Sequence, residues 1–160
     1  AEAEADLTAA LEKGAPPLFV YSVRERVRAA RDDAKGAAAD RAAAARVAPA
    51  TEQDFVVRGW SRIADDPTGA LADLRKALEI NPRSLVALQN AAHVLADKFK
   101  DDAAALEVAT KVTAAYPEFA PGRAGRAVVL ARLGRRKEAH DELAKARLLS
   151  EDAEVLYLSA

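Results

Sequence analysis

Apolar residues in this chain recur at helical rather than strand spacing, and most of them are small. Residues 69–82, Gly69 through Asn81 and Pro82, read as an amphipathic helix with alanines on its packing face and a proline stop. Residues 36–49, 104–117 and 138–151 repeat the pattern. Prolines 49, 82 and 117 stand 33 and 35 residues apart, and alanines 37, 70, 105 and 139 stand 33, 35 and 34 apart. A fixed period of this length marks an array of like supersecondary units.

Each alanine-rich helix is preceded by another helix with larger apolar residues. In residues 2–13, Leu7, Ala10 and Leu11 share a face, acids fill the first turn, and Gly14, Pro16 and Pro17 stop the helix. The helix from Leu18 to about Arg31 carries Val20, Val23 and Val27, with arginines 24, 26 and 28 outward or paired, and ends at Asp32 and Asp33. Thr51 and Asp54 have the spacing of a capping box before a helix bearing Phe55, Val56, Trp60 and Ile63. Asp66 and Pro67 restart the chain, as a cap followed by a first-turn proline. A third cycle opens at Ser84 and turns at Lys100 to Asp102; a fourth opens near Pro121 and turns at Gly134. The loops at Asp65–Asp66 and Phe99–Lys100 are expected to absorb the unequal steps.

Composition narrows the picture. Aromatics are 5% of the 160 residues and much of the 51% hydrophobic share is alanine, which favours close-packed helices over a core of large side chains. With 24 basic and 25 acidic residues, no net field points to nucleic acid. Without cysteine, disulfides and thiolate metal sites are excluded, and no apolar run reaches the roughly 20 residues of a membrane span. A signal-peptide pattern is absent from the acidic start, so a cytoplasmic location is the default expectation.

The period and the small residues resemble tetratricopeptide repeats over nearly the whole chain. The resemblance implies an all-α, right-handed superhelical solenoid of antiparallel helix pairs: one array over 1–160, with a terminal second helix at 2–13. Repeats would occupy 18–50, 51–84, 85–118 and 119–152, with a partial helix at 153–160. Gly59, Ala92 and Ala127 match the small first-helix position. Ala37 with Ala44, Ala70 with Ala77, Ala105 with Val112, and Ala139 with Ala146 match the second-helix pairs. Leu74, Leu95, Leu130 and Leu143 would fill the space between them. Glu25 at a small position, Arg41 where leucine is usual and Glu151 where proline is usual depart from the pattern. The wording around Arg58–Trp60, Asn81–Leu85 and Leu133–Arg136 is also similar to bacterial arrays carried behind eukaryote-type Ser/Thr kinase domains. Opening on a second helix and closing on part of a first, the chain reads as a piece of a longer array, with end-to-end association expected at its uncovered faces.

The resemblance implies a protein-interaction scaffold that binds a peptide or protein segment on its concave side. The matching first-helix candidates are Ser22, Arg26, Val56, Trp60, Gln89, Asn90, His93, Ala124 and Val128. Trp60, the only tryptophan, is either a groove anchor or packing between repeats. Some family members clamp a terminal carboxylate with Lys and Asn; only Asn90 and Arg26 are suitable here, so that pattern is not met. The alternative is a structural or regulatory module that packs on another domain of its parent chain or on another copy.

Arg24, Arg58 and Arg126 recur at one register position, either pairing with an adjoining carboxylate, such as Glu25 or Asp54, or forming an anion-binding row. From Arg123 to Lys137 there are six basic residues and no acid, which would suit nucleic acid or an acidic partner. Aromatics for base stacking are absent from that run, and the GxxG of residues 122–125 has no flanking strands, so nucleic acid is not expected. His140, Asp141 and Glu142 read as a solvated polar face. His93 and His140 fall short of the three or four ligands that a metal wants. No phosphate-cradling loop, HExxH or nucleophile motif occurs, so neither enzymatic activity nor a cofactor is expected.

Overall fold

In the computed structural model of the chain, the backbone of residues 2–158 and the side chains of residues 2–151 are described. Among them the helices are α1 (Glu2–Glu12), α2 (Pro17–Ala29), α3 (Ala34–Ala45), α4 (Glu52–Arg62), α5 (Pro67–Ile80), α6 (Leu85–His93), α7 (Asp102–Ala115), α8 (Ala120–Arg132) and α9 (Arg136–Leu158). A π-helical turn, Val94–Lys98, continues α6. No described residue is in a strand, so the fold is all-α.

Local chemistry sets most boundaries. Thr51 accepts from the Asp54 amide while Asp54 accepts from the Thr51 amide, a reciprocal capping box at the start of α4. Asp33, Asp66, Ser84 and Asp101 each accept from the amide three residues on, starting α3, α5, α6 and α7. Gly134, with φ +76°, turns the chain from α8 to α9; glycine adopts this left-handed conformation without a Cβ clash. Through the 150–151 position α9 runs unbroken: Glu151 replaces the proline that closes earlier repeats, and neither Gly nor Pro follows. The expected partial helix at 153–160 continues α9 in backbone as far as Leu158, and its side chains lie outside the described residues.

The chain forms two compact units, 1–80 and 81–160. In the first, α2 pairs with α3 and α4 with α5, while α1 and α4 also lie against α2. In the second, α6 pairs with α7 and α8 with α9, and α7 also packs on α8. Most of the expected small residues sit where these helices meet, whereas Ala44 and Ala92 are only half-buried. Ala70, Ala77, Ala105 and Ala127 are buried, as is Gly59. A Cβ at Gly59 would lie 3.1 Å from Leu74 Cγ and 3.2 Å from the Ala70 carbonyl oxygen, so any larger residue would have to push α5 back by a few tenths of an ångström.

Three details differ from the sequence expectation. The longest step is accommodated inside a helix as well as in a loop. Thirteen residues separate Ala92 from Ala105, against twelve between Ala127 and Ala139. The wider π turn at Val94–Lys98, where the Phe99 amide donates to the Val94 carbonyl, and left-handed Lys100 take up the excess. Leu74, Leu95 and Leu130 are buried as expected, but Leu143 is 51% exposed: α9 turns Ala139, Glu142 and Ala146 inward instead. Lastly, two departures from the repeat pattern answer each other. Arg41 donates from Nε and Nη2 to Glu25 Oε1 at 2.8 and 2.6 Å, so an ion pair stands where Gly59 meets Leu74 in the next repeat.

Candidate partner-binding surfaces

The recurring arginines point inward. Arg58 grips Asp73 of α5 with two hydrogen bonds, Nε to Oδ2 at 2.8 Å and Nη2 to Oδ1 at 2.6 Å. One turn along α4, Arg62 adds a third at 3.0 Å. The first repeat duplicates this arrangement: Arg24 and Arg28 of α2 enclose Asp40 of α3, with shortest contacts of 2.6 and 2.9 Å. In the last repeat Arg123, Arg126 and Lys145 surround Glu142 at 3.2, 3.2 and 3.3 Å. Asp40, Asp73 and Glu142 are all buried, so each acid is desolvated and depends on its cations.

This arrangement removes the anion-binding row and names different partners from those expected. Glu25 is taken by Arg41, and Asp54 by the α4 cap. Glu142 is buried rather than solvated, although His140 and Asp141 are exposed. The sequence held the missing signal: Asp40, Asp73 and Glu142 each stand three residues beyond the small alanines 37, 70 and 139. The third repeat has Ala91 and Val108 at the corresponding positions and dispenses with the pair altogether.

Burial raises the Glu142 carboxyl, but the Lys145 hydrogen bond and the charges of Arg126 and Arg123 outweigh it, leaving the group below its ordinary value of 4.5. A carboxyl depressed on folding stabilises above its unfolded value, and that contribution is lost as pH falls through the folded one. Acid titration of unfolding free energy is expected to fall below pH 4.5, and Glu142→Gln should show a shallower fall.

The nine first-helix candidates divide between the units, and every one is at least partly exposed. In the first unit, Trp60 is 45% exposed, with the Arg26 guanidinium 5.0 Å from its ring centroid. This cation–π contact is worth about 0.5–1 kcal/mol at such a site. It leaves the indole at the surface rather than in the core. Ser22 lines a separate cleft of about 300 Å³ with Glu25, Arg41 and Arg58. Val56 is partly exposed one turn before Trp60.

In the second unit, Gln89, His93 and Val128 line a mostly apolar groove of about 230 Å³ between α6, its π turn and α8, floored by Ala109 and Val112 of α7. Asn90 and Ala124 lie outside its lining; Asn90 donates back to the Val86 carbonyl at 2.9 Å. At one end His93 Nδ1 and Arg132 Nη2 meet Asp97 at 2.9 and 2.6 Å. The Arg132 hydrogen bond holds the Asp97 carboxyl below its usual range. Sequence reading missed Ala96, Asp97, Gly125 and Arg132 as groove residues, because the π turn that brings in the first two has no spacing signature of its own. Among the described residues no group of three or more His, Cys, Asp or Glu could hold a metal ion. None of the described helices is long and apolar enough to cross a membrane.

Comparison with solved structures settles the architecture. MamA matches with a TM-score of 0.69 at 15% identity, over 92% of this chain and 86% of its own. YrrB, described as a TPR protein with an unusual peptide-binding site, matches with a TM-score of 0.67 at 23% identity, over 98% of this chain and 80% of its own. The fold is that of tetratricopeptide repeats. At these identities the likeness extends to fold alone. No protein-family profile matches the chain, and no curated protein matches it in sequence.

Proposed function

We propose that this chain is a non-catalytic protein-interaction scaffold that holds a peptide or protein segment against its first-helix faces, the concave side of a right-handed superhelix. One observation supports this above others. Gly59 and Ala127 at the helix crossings go into the core, while Trp60 and Val128, one position further along the same helices, stay exposed, as do Arg26 and His93 at that register in the other two repeats. A solenoid built only for rigidity has no need of an exposed tryptophan, and aromatic anchors dominate many protein interfaces. YrrB, of the same fold, carries a peptide-binding site by its description. A bacterial, cytoplasmic setting and a parent chain with a Ser/Thr kinase domain belong to the same reading.

A second reading, packing on another domain of the parent chain or on a second copy, draws on α9, where Leu143 and Leu148 are 51% and 61% exposed. A photo-crosslinking residue at position 60, with mass-spectrometric identification of what it captures in cells, separates the two. Capture of one distinct protein, lost on competition with its own segment, supports the scaffold. Capture of the parent chain alone supports the second reading.

A further inference from the structure

The groove of the second unit has features that general packing leaves unexplained. Gly125 lies in the interior of α8, where glycine costs about 1 kcal/mol relative to alanine. At Gly122, one turn earlier, the crowding is plain: a Cβ would sit 2.7 Å from Val112 Cγ1. At Gly125 a Cβ would meet nothing within 4 Å, so no neighbour requires the glycine, and what it leaves open is the groove. The opposite wall comes from the π turn, which brings Ala96 and Asp97 to the groove; such turns are frequent at functional sites. At about 230 Å³ the space is smaller than the roughly 300–1,000 Å³ of small-molecule sites. Its size suits a single side chain.

Charge selects the occupant. Three cations, Arg123, Arg126 and Lys145, surround the carboxylate of Glu142, and Glu138, itself paired with Arg135, acts on Arg126 from further off, so positive charge is in excess beside the groove wall that Arg126 forms. Arg126 Nε, buried there, has no hydrogen-bond acceptor. At the other end Arg132 is already matched by Asp97 and Asp102. We infer that the groove seats one large apolar side chain of an acidic partner segment, with a flanking carboxylate at the Arg126 end. This rests on the scaffold reading and adds the chemistry of the segment.

The test uses the full chain, labelled with nitrogen-15, and three synthetic eleven-residue peptides: a central leucine flanked by glutamates, a central alanine flanked by glutamates, and a central leucine flanked by lysines. The acidic leucine peptide is expected to shift the amides of residues 92–97 and 122–129. The alanine peptide should bind about ten- to a hundredfold more weakly, since it forgoes burial of the leucine side chain. The lysine peptide should bind more weakly still. Gly125→Leu fills the groove and should abolish these shifts while leaving Tm equal or higher; should that variant misfold, Val128→Glu on the exposed lip places like charge against the peptide and should weaken binding alone. Equal affinity for the lysine peptide, or undiminished binding by Gly125→Leu, overturns the inference. If no peptide shifts these amides while crosslinking at position 60 captures a partner, the groove inference is overturned and the scaffold stands. Without either signal, both fall.

Discussion

Asp73→Ala is expected to destabilise the first unit by about 1.5–3 kcal/mol, because it leaves the partly exposed Arg58 without the carboxylate it grips through two hydrogen bonds. Urea unfolding followed by Trp60 fluorescence reads this directly, since Trp60 lies on α4 beside the affected pair. Removing all the charges together should behave differently. The third repeat supplies the template, with Ala91, Leu95 and Val108 where the second has Arg58, Arg62 and Asp73. The triple variant Arg58→Ala, Arg62→Leu, Asp73→Val is expected to be near neutral, or up to about 4 kcal/mol more stable, since desolvation of the ions disappears with them. A loss below about 1 kcal/mol for Asp73→Ala would show that water reaches the pair freely.

The second large effect is a contrast between two leucines at one register position. Leu74→Ala is expected to lower stability by about 2–5 kcal/mol, because Leu74 is fully buried against Gly59 and its removal opens a cavity. Leu143→Ala, the same substitution two repeats later, should change stability by no more than about 0.5 kcal/mol because half of the side chain is already in solvent. Chemical denaturation of both variants checks the pair. Similar losses would mean that Leu143 is covered in solution.

These leucines show how far the sequence could be read. The period and the small residues placed the helix pairs, since helices can approach closely only where side chains are short, and Gly59, Ala70 and Ala77 lie where that demands. Repeat position could not tell Leu74 from Leu143, because burial depends on what covers a face. Within the candidate surfaces, the resemblance to the repeat family singled out Trp60 and Val128, and both side chains are exposed. The groove was not. It depends on a π turn and on open space above Gly125, and each is a property of backbone path rather than residue type. The buried acids were within reach: their register with the small alanines is as regular as that of the arginines they hold.

The Glu25–Arg41 pair bears on how such arrays can be rearranged. Grafting α2 alone opposite α5 or α9 would confront Glu25 with Leu74 or Leu143 and strand Asp40 in its old place without Arg24. Moving α2 and α3 together carries both matched sets intact. Evolutionary shuffling or deliberate recombination of this chain should therefore tolerate cuts between hairpins and reject cuts through them.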